Sequence, residues 1–546
     1  MKTGSKKDGE LVDLRPTLSA YLHQKLVAFQ DGFRHNLALL GPVGSGKSLL
    51  LHQVLQAADV RLTKVSCTLQ RESVREFLRR FVTAVLQAAV DAPPEAPFET
   101  LMHHAAAVMP RTTAAIAQLD RYATGHLQAE AFTHALDLIP VVHQELNRPC
   151  VLVLDEFLYL EDLGVSHAFH ELGKRVMTWP FTLFLVTSSS TCRAREILRE
   201  RLQLLFGQFE VVSLGPIEMP AAMAWMQQAL PGAERLTLIM RFLHHWIGTS
   251  PWYLSVLLTR MRELALLKSA ERVASDLPAA AQAGAMLFRA AWDVLGSRDG
   301  VLHQWCAAQV DRVVQQRHGP LAREALAQLA SGARTTQAIA KRCGTRRNLS
   351  PVLQALVEHD LVQRKGACWV IPDQLLACWF AAGFSQSRGM RDRQPAAQRF
   401  EETLQTLWMQ WREATAQPFA ERISRLLSQF RNETVSLDHK TGRLPSFQDL
   451  HAQSLGSRGA TYLVADGEDR RWCCVVYEGK LEEAEIAAFE EFCRRQSPKP
   501  SRKVVVAKEG LELNATLLAK QANMWVWDPD DINLLFLLYG QPSLDR

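Results

Sequence analysis

Gly41-Pro42-Val43-Gly44-Ser45-Gly46-Lys47-Ser48 combines the residue types and the spacing that hold a phosphate. Glycines let the backbone curl so that successive N–H groups and the N-terminus of a following helix face an anion. Lys47 then supplies a cation for β- and γ-phosphates, and Ser48 a hydroxyl for Mg²⁺. The flanks suit this chemistry: residues 37–40 form an apolar run that reads as a buried strand, and 49–54 an apolar-periodic helix beginning at Leu49. Gly41 to Leu49 are therefore the candidate nucleotide-binding residues, with ATP and Mg²⁺ the expected ligands.

A second set of reactive side chains lies further along, in Val151-Leu152-Val153-Leu154-Asp155-Glu156. Four apolar residues bury a strand and deliver two carboxylates at its end, Asp155 to orient Mg²⁺ and Glu156 to polarise an attacking water. With Lys47 these are the candidate catalytic residues, and Ser48 and Asp155 the candidate metal ligands. The apolar run 181–187 ends in Thr187, Ser188 and Ser189, hydroxyls placed either to sense the γ-phosphate or to cap the next helix. Arg193, Arg195, Arg199 and Arg201 are open to three readings, a γ-phosphate sensor, a finger acting on a neighbouring subunit or a solvated basic helix face.

The elements that must carry these groups follow from the apolar pattern. Strands expected at 37–40, 62–66, 150–154 and 181–187 alternate with helical stretches, which predicts a doubly wound parallel α/β sheet with its ligand beyond the carboxyl ends of the strands. Residues 98–146 read as a helical excursion, and 219–315 as almost wholly helical. The expected organisation is an ATPase core at 1–218, a helical lid and connector at 219–317, a compact module at 318–385, a polar linker at 386–415 and a further α/β domain at 416–546.

In the compact module, helices at 321–330 and 335–343, a stop at Gly344 and a third helix opened by Ser350-Pro351 precede a short hairpin at 361–371. That order predicts a winged helix-turn-helix. Its third helix would offer DNA Arg346, Arg347, Asn348 and Gln354, and its wing Arg364 and Lys365.

Composition is compatible with several domains and says little more. The chain has 546 residues, 47% of them hydrophobic, a formal net charge of +5 and ten cysteines without a C-x-x-C spacing. Neither a disulfide framework nor a zinc site is suggested, and no apolar run reaches the length of a membrane span, so a cytoplasmic location is expected.

Leu154-Asp-Glu-Phe-Leu-Tyr-Leu160 and Gly248-Thr-Ser-Pro-Trp-Tyr-Leu254 resemble two motifs of the archaeal-type P-loop ATPases of the AAA+/STAND group. Trp369-Val-Ile-Pro-Asp373 and Cys378-Trp379-Phe380 resemble the segment that follows that group's winged helix. The resemblance implies that Pro251 lies near the adenine. It also implies an arginine where this chain reads Phe206-Gly207-Gln208, a departure that points to slow turnover.

The order of elements after residue 416 resembles a restriction-endonuclease-like fold, which implies a nuclease remnant in Glu478 and Lys480, with Glu421 as the helix acid. Tyr462 stands where the strand aspartate belongs, leaving Asp466 in the following turn, so the domain is expected to be degenerate. Together these features predict an ATP-binding and hydrolysing, DNA-associated switch that also engages a protein partner or itself. An ATP-gated nuclease, or a protein-triggered signalling or defence ATPase without DNA contact, are the alternatives.

Overall fold

The computed structural model describes residues 12–59, 61–90, 96–123, 128–200, 209–230, 237–248, 250–270, 279–315, 319–345, 348–383, 396–437, 440–454, 459–468 and 470–544. The chain divides into two compact units, residues 1–225 with 248–255, and residues 226–247 with 256–546.

The first unit opens with α1 (Pro16–Gln30), β1 (Asn36–Leu40), α2 (Lys47–Ala57), β2 (Thr63–Thr68) and α3 (Val74–Gln87). The helical excursion follows as α4 (Phe98–Val108), α5 (Pro110–Ala123), α6 (Gln128–Leu136) and α7 (Leu138–Leu146). Then come β3 (Cys150–Asp155), a 3₁₀ turn at Phe157–Glu161, α8 (Ala168–Thr178), β4 (Thr182–Ser188), α9 (Thr191–Glu200), β5 (Phe209–Ser213) and the greater part of α10 (Met219–Ala229).

The five strands pair in parallel in the order β2-β3-β4-β1-β5. β1, β3 and β4 are buried throughout, which is why they read as unbroken apolar runs. Alternate side chains serve two cores. Leu37, Leu39, Val151, Val153, Leu183 and Leu185 pack with α1 and α2, whereas Ala38, Leu40, Leu152, Leu154, Phe184 and Val186 pack with the helices on the other face. On that second face α3 is started by a capping box between Ser73 and Glu76, worth about 1 kcal/mol. Phe77 and Phe81 of α3 and Phe132 of α6 are fully buried, each adding about 1.5–3 kcal/mol.

The second unit runs through α11 (Thr237–Ile247), the greater part of α12 (Pro251–Ala270), α13 (Ala279–Ala291) and α14 (Val301–Val314) to α15 (Gly319–Ala330), α16 (Thr336–Arg342) and α17 (Ser350–Glu358). The hairpin of β6 (Gln363–Lys365) and β7 (Cys368–Val370) follows, then α18 (Gln374–Ala381). Thr335 caps α16 by accepting from the Ala338 N–H. Ser350 does not act as the expected cap of α17: it is the first helical residue, and its N–H donates to Asn348 Oδ1 at 3.0 Å.

The expected linker contains a 21-residue helix, α19 (Ala396–Ala416), with Phe400, Leu404 and Trp411 buried. The polar string at 385–397 masked an amphipathic pattern that begins just beyond it.

The final domain comprises α20 (Phe419–Ser428), β8 (Glu433–Ser436), β9 (Thr441–Leu444), β10 (Asp449–Ser454), β11 (Thr461–Asp466), β12 (Arg471–Tyr477), α21 (Glu483–Arg495), β13 (Arg502–Ala507), α22 (Leu513–Gln521), β14 (Trp525–Trp527) and α23 (Pro529–Leu538). Its sheet has the order β10-β11-β12-β13-β14, antiparallel from β10 to β12 and parallel from β12 to β14.

Candidate nucleotide site

The glycine loop links β1 to α2 at the carboxyl end of the parallel sheet, an arrangement consistent with a P-loop NTPase fold. Gly44 and Gly46 have φ of +78° and +88°, a region costly for residues with a Cβ. Crowding adds a second constraint at Gly44, where a Cβ would lie 3.0 Å from Ser250 Oγ and 3.1 Å from Trp252 Cβ. Ser250 Oγ donates to the Gly44 carbonyl at 3.1 Å and accepts the Tyr253 N–H, so the residues opening α12 hold the loop as they start their own helix. Pro251 is buried, and its Cγ is 3.3 Å from where a Cβ on Gly46 would sit. Pro251 thus packs against the glycine loop.

Lys47 is buried, its Nζ donating to the Gly41 carbonyl (2.8 Å), the Pro42 carbonyl (3.3 Å) and Ser189 Oγ (2.8 Å). Its ion pair is with Glu156 Oε1 at 3.5 Å. Burial lowers the Lys47 pKa from its ordinary value, an effect opposed by the negative charges of Glu156 and Asp155. Pro42, Val43 and Ser48 lie at the surface around the loop, Ser45 is buried beneath it, and Leu49 is half-buried in the first turn of α2.

Asp155 gathers hydroxyls. Ser48 Oγ donates to its Oδ2 at 3.0 Å, Thr68 Oγ1 reaches the same oxygen at 3.4 Å, and Thr187 Oγ1 donates to Oδ1. A carboxylate beside hydroxyls at the mouth of a glycine loop is an all-oxygen donor set that suits Mg²⁺.

Glu156 sits in left-handed backbone at φ +57°, a conformation of order 1 kcal/mol or more above the helical one. Its N–H donates to Thr187 Oγ1 at 3.0 Å, and its carboxylate accepts the Ser189 N–H at 2.8 Å and the Ser189 hydroxyl. Thr187 and Ser189 thus turn toward Asp155 and Glu156. Ser188 does not: its hydroxyl faces Ser190, at the start of α9. Consecutive residues on a strand face opposite ways, so three adjacent hydroxyls cannot all serve one ligand.

The neighbouring arginines lie on the α9 surface. Arg193 pairs with Glu161 and Glu196, Arg195 donates to Ser213 Oγ, and Arg199 pairs with Glu200. Arg201 and the segment Phe206-Gly207-Gln208 lie outside the described residues.

Two contributors to this site escaped sequence reading. Thr68 reaches Asp155 from the end of β2, and Arg15, 5% exposed, donates through Nε and Nη2 to the Gly215 carbonyl. The Arg15 Nη1 would be 3.5 Å from a Cβ on Gly46. Burial lowers the Arg15 pKa to about 10 against the raising effects of Glu218 and Asp13. The available signals were a polar residue closing a strand and an arginine immediately before a proline-started helix, both too common to single out.

Of the DNA-contact candidates, Arg346 and Arg347 lie outside the described residues. Asn348 and Gln354 are exposed, but Gln354 shares the outer face of α17 with Glu358, whose charge opposes a phosphate. Arg364 is exposed and Lys365 half-buried on β6.

The candidate nuclease remnant does not converge. Asp466 pairs in register with Arg471 at the start of β12 and forms a salt bridge with it, whereas Glu478 and Lys480 follow the other end of that strand, about 20 Å away at ~3.3 Å per residue. Glu478 is 3.7 Å from Lys508, and Lys480 is exposed. Glu421 is exposed on α20, which covers one face of the sheet, while Tyr462 packs on the other against Phe489 and Phe492. Among the described residues, no three His, Cys, Asp or Glu side chains gather to hold a metal ion.

No protein-family model matches the chain, and no curated protein matches it. Solved structures do match. The chain is similar to a Walker-type ATPase of Pyrococcus abyssi, with 13% identity and a TM-score of 0.43 over 68% of this chain and 96% of that one. It is also similar to the ORC1 protein of Aeropyrum pernix in complex with DNA (15% identity, TM-score 0.37, 69% and 94% covered). A third is Drosophila ORC bound to DNA (11% identity, TM-score 0.28, 66% and 84% covered). No described helix is long and apolar enough to cross a membrane.

Proposed function

We propose that this protein binds ATP with Mg²⁺ at the Gly41–Ser48 loop, hydrolyses it slowly, and uses the nucleotide as a switch of the AAA+/STAND type. The observation that carries this reading is the convergence of Lys47, Ser48, Asp155, Glu156, Thr187 and Ser189 at one end of a parallel sheet. Backbone N–H groups of the loop and the N-terminus of α2 bind the phosphates, and Lys47 exchanges its contacts with Glu156 and the loop carbonyls for phosphate oxygens. Ser48 and Asp155 would hold Mg²⁺, which when bound neutralises phosphate charge. Glu156, oriented by Ser189 and by the Thr187 contact to its N–H, accepts the proton of the attacking water.

Binding and chemistry separate cleanly in two variants. Lys47→Ala abolishes nucleotide binding measured by calorimetry. Glu156→Gln retains binding within a few-fold and loses about 10²–10⁴ of the hydrolysis rate, the range for removing a general base.

DNA is the proposed partner, met at the corner between α16 and α17 through Arg346, Arg347, Asn348 and Gln354. A protein trigger without DNA contact is the second reading, favoured by Glu358 on the outward face of α17. Duplex binding by wild type and the Arg346→Ala/Arg347→Ala variant, at two salt concentrations, separates them. Salt-dependent binding that weakens in the variant supports DNA, and no binding even at low salt supports the protein trigger.

A further inference from the structure

The β6–β7 hairpin holds two of the candidate DNA contacts, Arg364 and Lys365, yet its tip backbone and its β7 side chains meet protein. At its tip the Ala367 N–H donates to the Thr434 carbonyl of β8 at 2.8 Å. Gly366 beside it has φ +71°, and a Cβ there would fall 2.6 Å from the same carbonyl oxygen and 2.9 Å from the Ser436 nitrogen. Only glycine fits that approach.

On β7, Cys368 and Val370 belong to the core built on Phe419, Phe430, Trp472 and Tyr539 of the C-terminal domain. Arg334, whose carbonyl accepts the Trp369 N–H, lays its guanidinium 4.2 Å over the Tyr539 ring, and the Tyr539 hydroxyl donates to Glu433. Arg364 is committed within the hairpin: its Nε donates to the Gly366 carbonyl at 3.0 Å, and its guanidinium lies 5.3 Å over the Trp369 ring.

We propose that this hairpin is a docking strand whose partner is the C-terminal domain of the same chain, residues 419–544, and that nucleic acid is not among its ligands. A wing that meets DNA needs a free tip and cations extended from it. Here the tip hydrogen bond, the glycine clearance and two β7 side chains are all committed to the C-terminal domain. The described residues of 319–383 and 419–544 consequently move as one body, and any DNA contact belongs to the helices of the module. The inference does not depend on the nucleotide site.

Hydrogen exchange on the full-length wild type tests it. The Ala367 amide, which points out of its own hairpin, should be as slow as central β12 amides such as Val475, whereas exchange at the rate of an exposed turn would overturn the proposal. In Gly366→Val, exchange should accelerate together in 363–370 and 433–444 while α15 and α16 stay protected. Unchanged protection of 433–444 would contradict docking. Should that variant fail to fold, Arg364→Ala/Lys365→Ala supplies the second arm: a tenfold loss of duplex affinity at low salt would overturn the proposal. Affinity within twofold of wild type, or no duplex binding by either protein, agrees with it.

Discussion

Glu156 is held by contacts that no neighbour in sequence supplies. Thr187 accepts its N–H and donates to Asp155, so one hydroxyl ties the Glu156 backbone to the Asp155 carboxylate. Thr187→Val keeps the shape but leaves a buried carboxylate short of a donor, and should cost about 1–3 kcal/mol of stability as well as most of the hydrolytic rate. Thermal melting and phosphate release check the two effects. Lys47 makes a pH prediction. Because burial lowers its pKa, the folded protein holds the Lys47 proton less tightly than the unfolded chain does. Its contribution to stability therefore rises with pH between the lowered value and 10.5, where the unfolded state binds more protons. Nucleotide affinity runs the other way, falling at a lower pH than an ordinary lysine would give, and Lys47→Arg, if it still binds nucleotide, should remove the fall. Titrating affinity against pH tests this sign. The loop and the Asp155-Glu156 pair were legible because each is contiguous in the chain. Thr68 and Arg15 were not, since their partners lie far off in sequence and a lone polar residue carries no local pattern.

Among the elements, legibility followed burial. β1, β3 and β4 are covered on both faces and announce themselves as apolar runs, whereas β5 is an edge strand with exposed Glu210, Val211 and Ser213 and was not foreseen. β8, β9 and β10 escaped as well, the first two because they are only four residues long and β10 because it is polar and mostly exposed. The sequence of 386–415 reads as a linker because a polar string runs into the first turn of α19. Its true nature is tested by Trp411, fully buried and in edge contact with Phe242 at 5.6 Å. Trp411→Ala should destabilise the second unit by about 3–5 kcal/mol, whereas a tryptophan in a linker would cost little. Denaturant unfolding followed through that unit distinguishes the two.

Over the whole molecule, the order of helices and strands along the chain was readable while their interlocking was not. A winged module and an α/β domain were expected as separate bodies joined by a linker, but β7 and the C-terminal sheet share one core. The remnant acids could not be judged from spacing, because register alone decides that Asp466 and Glu478 stand at opposite ends of β12. From that separation the protein should leave duplex and single-stranded DNA intact with Mg²⁺ or Mn²⁺, and Lys480→Ala should change nothing. Cutting that disappears in Lys480→Ala would refute this. The central claim, a nucleotide switch, is tested most directly by ATP–Mg²⁺ binding and phosphate release measured side by side on wild type, Lys47→Ala and Glu156→Gln. The account predicts binding and slow release in wild type, neither in Lys47→Ala, and binding without release in Glu156→Gln. No binding in wild type, or equal binding in wild type and Lys47→Ala, would contradict it.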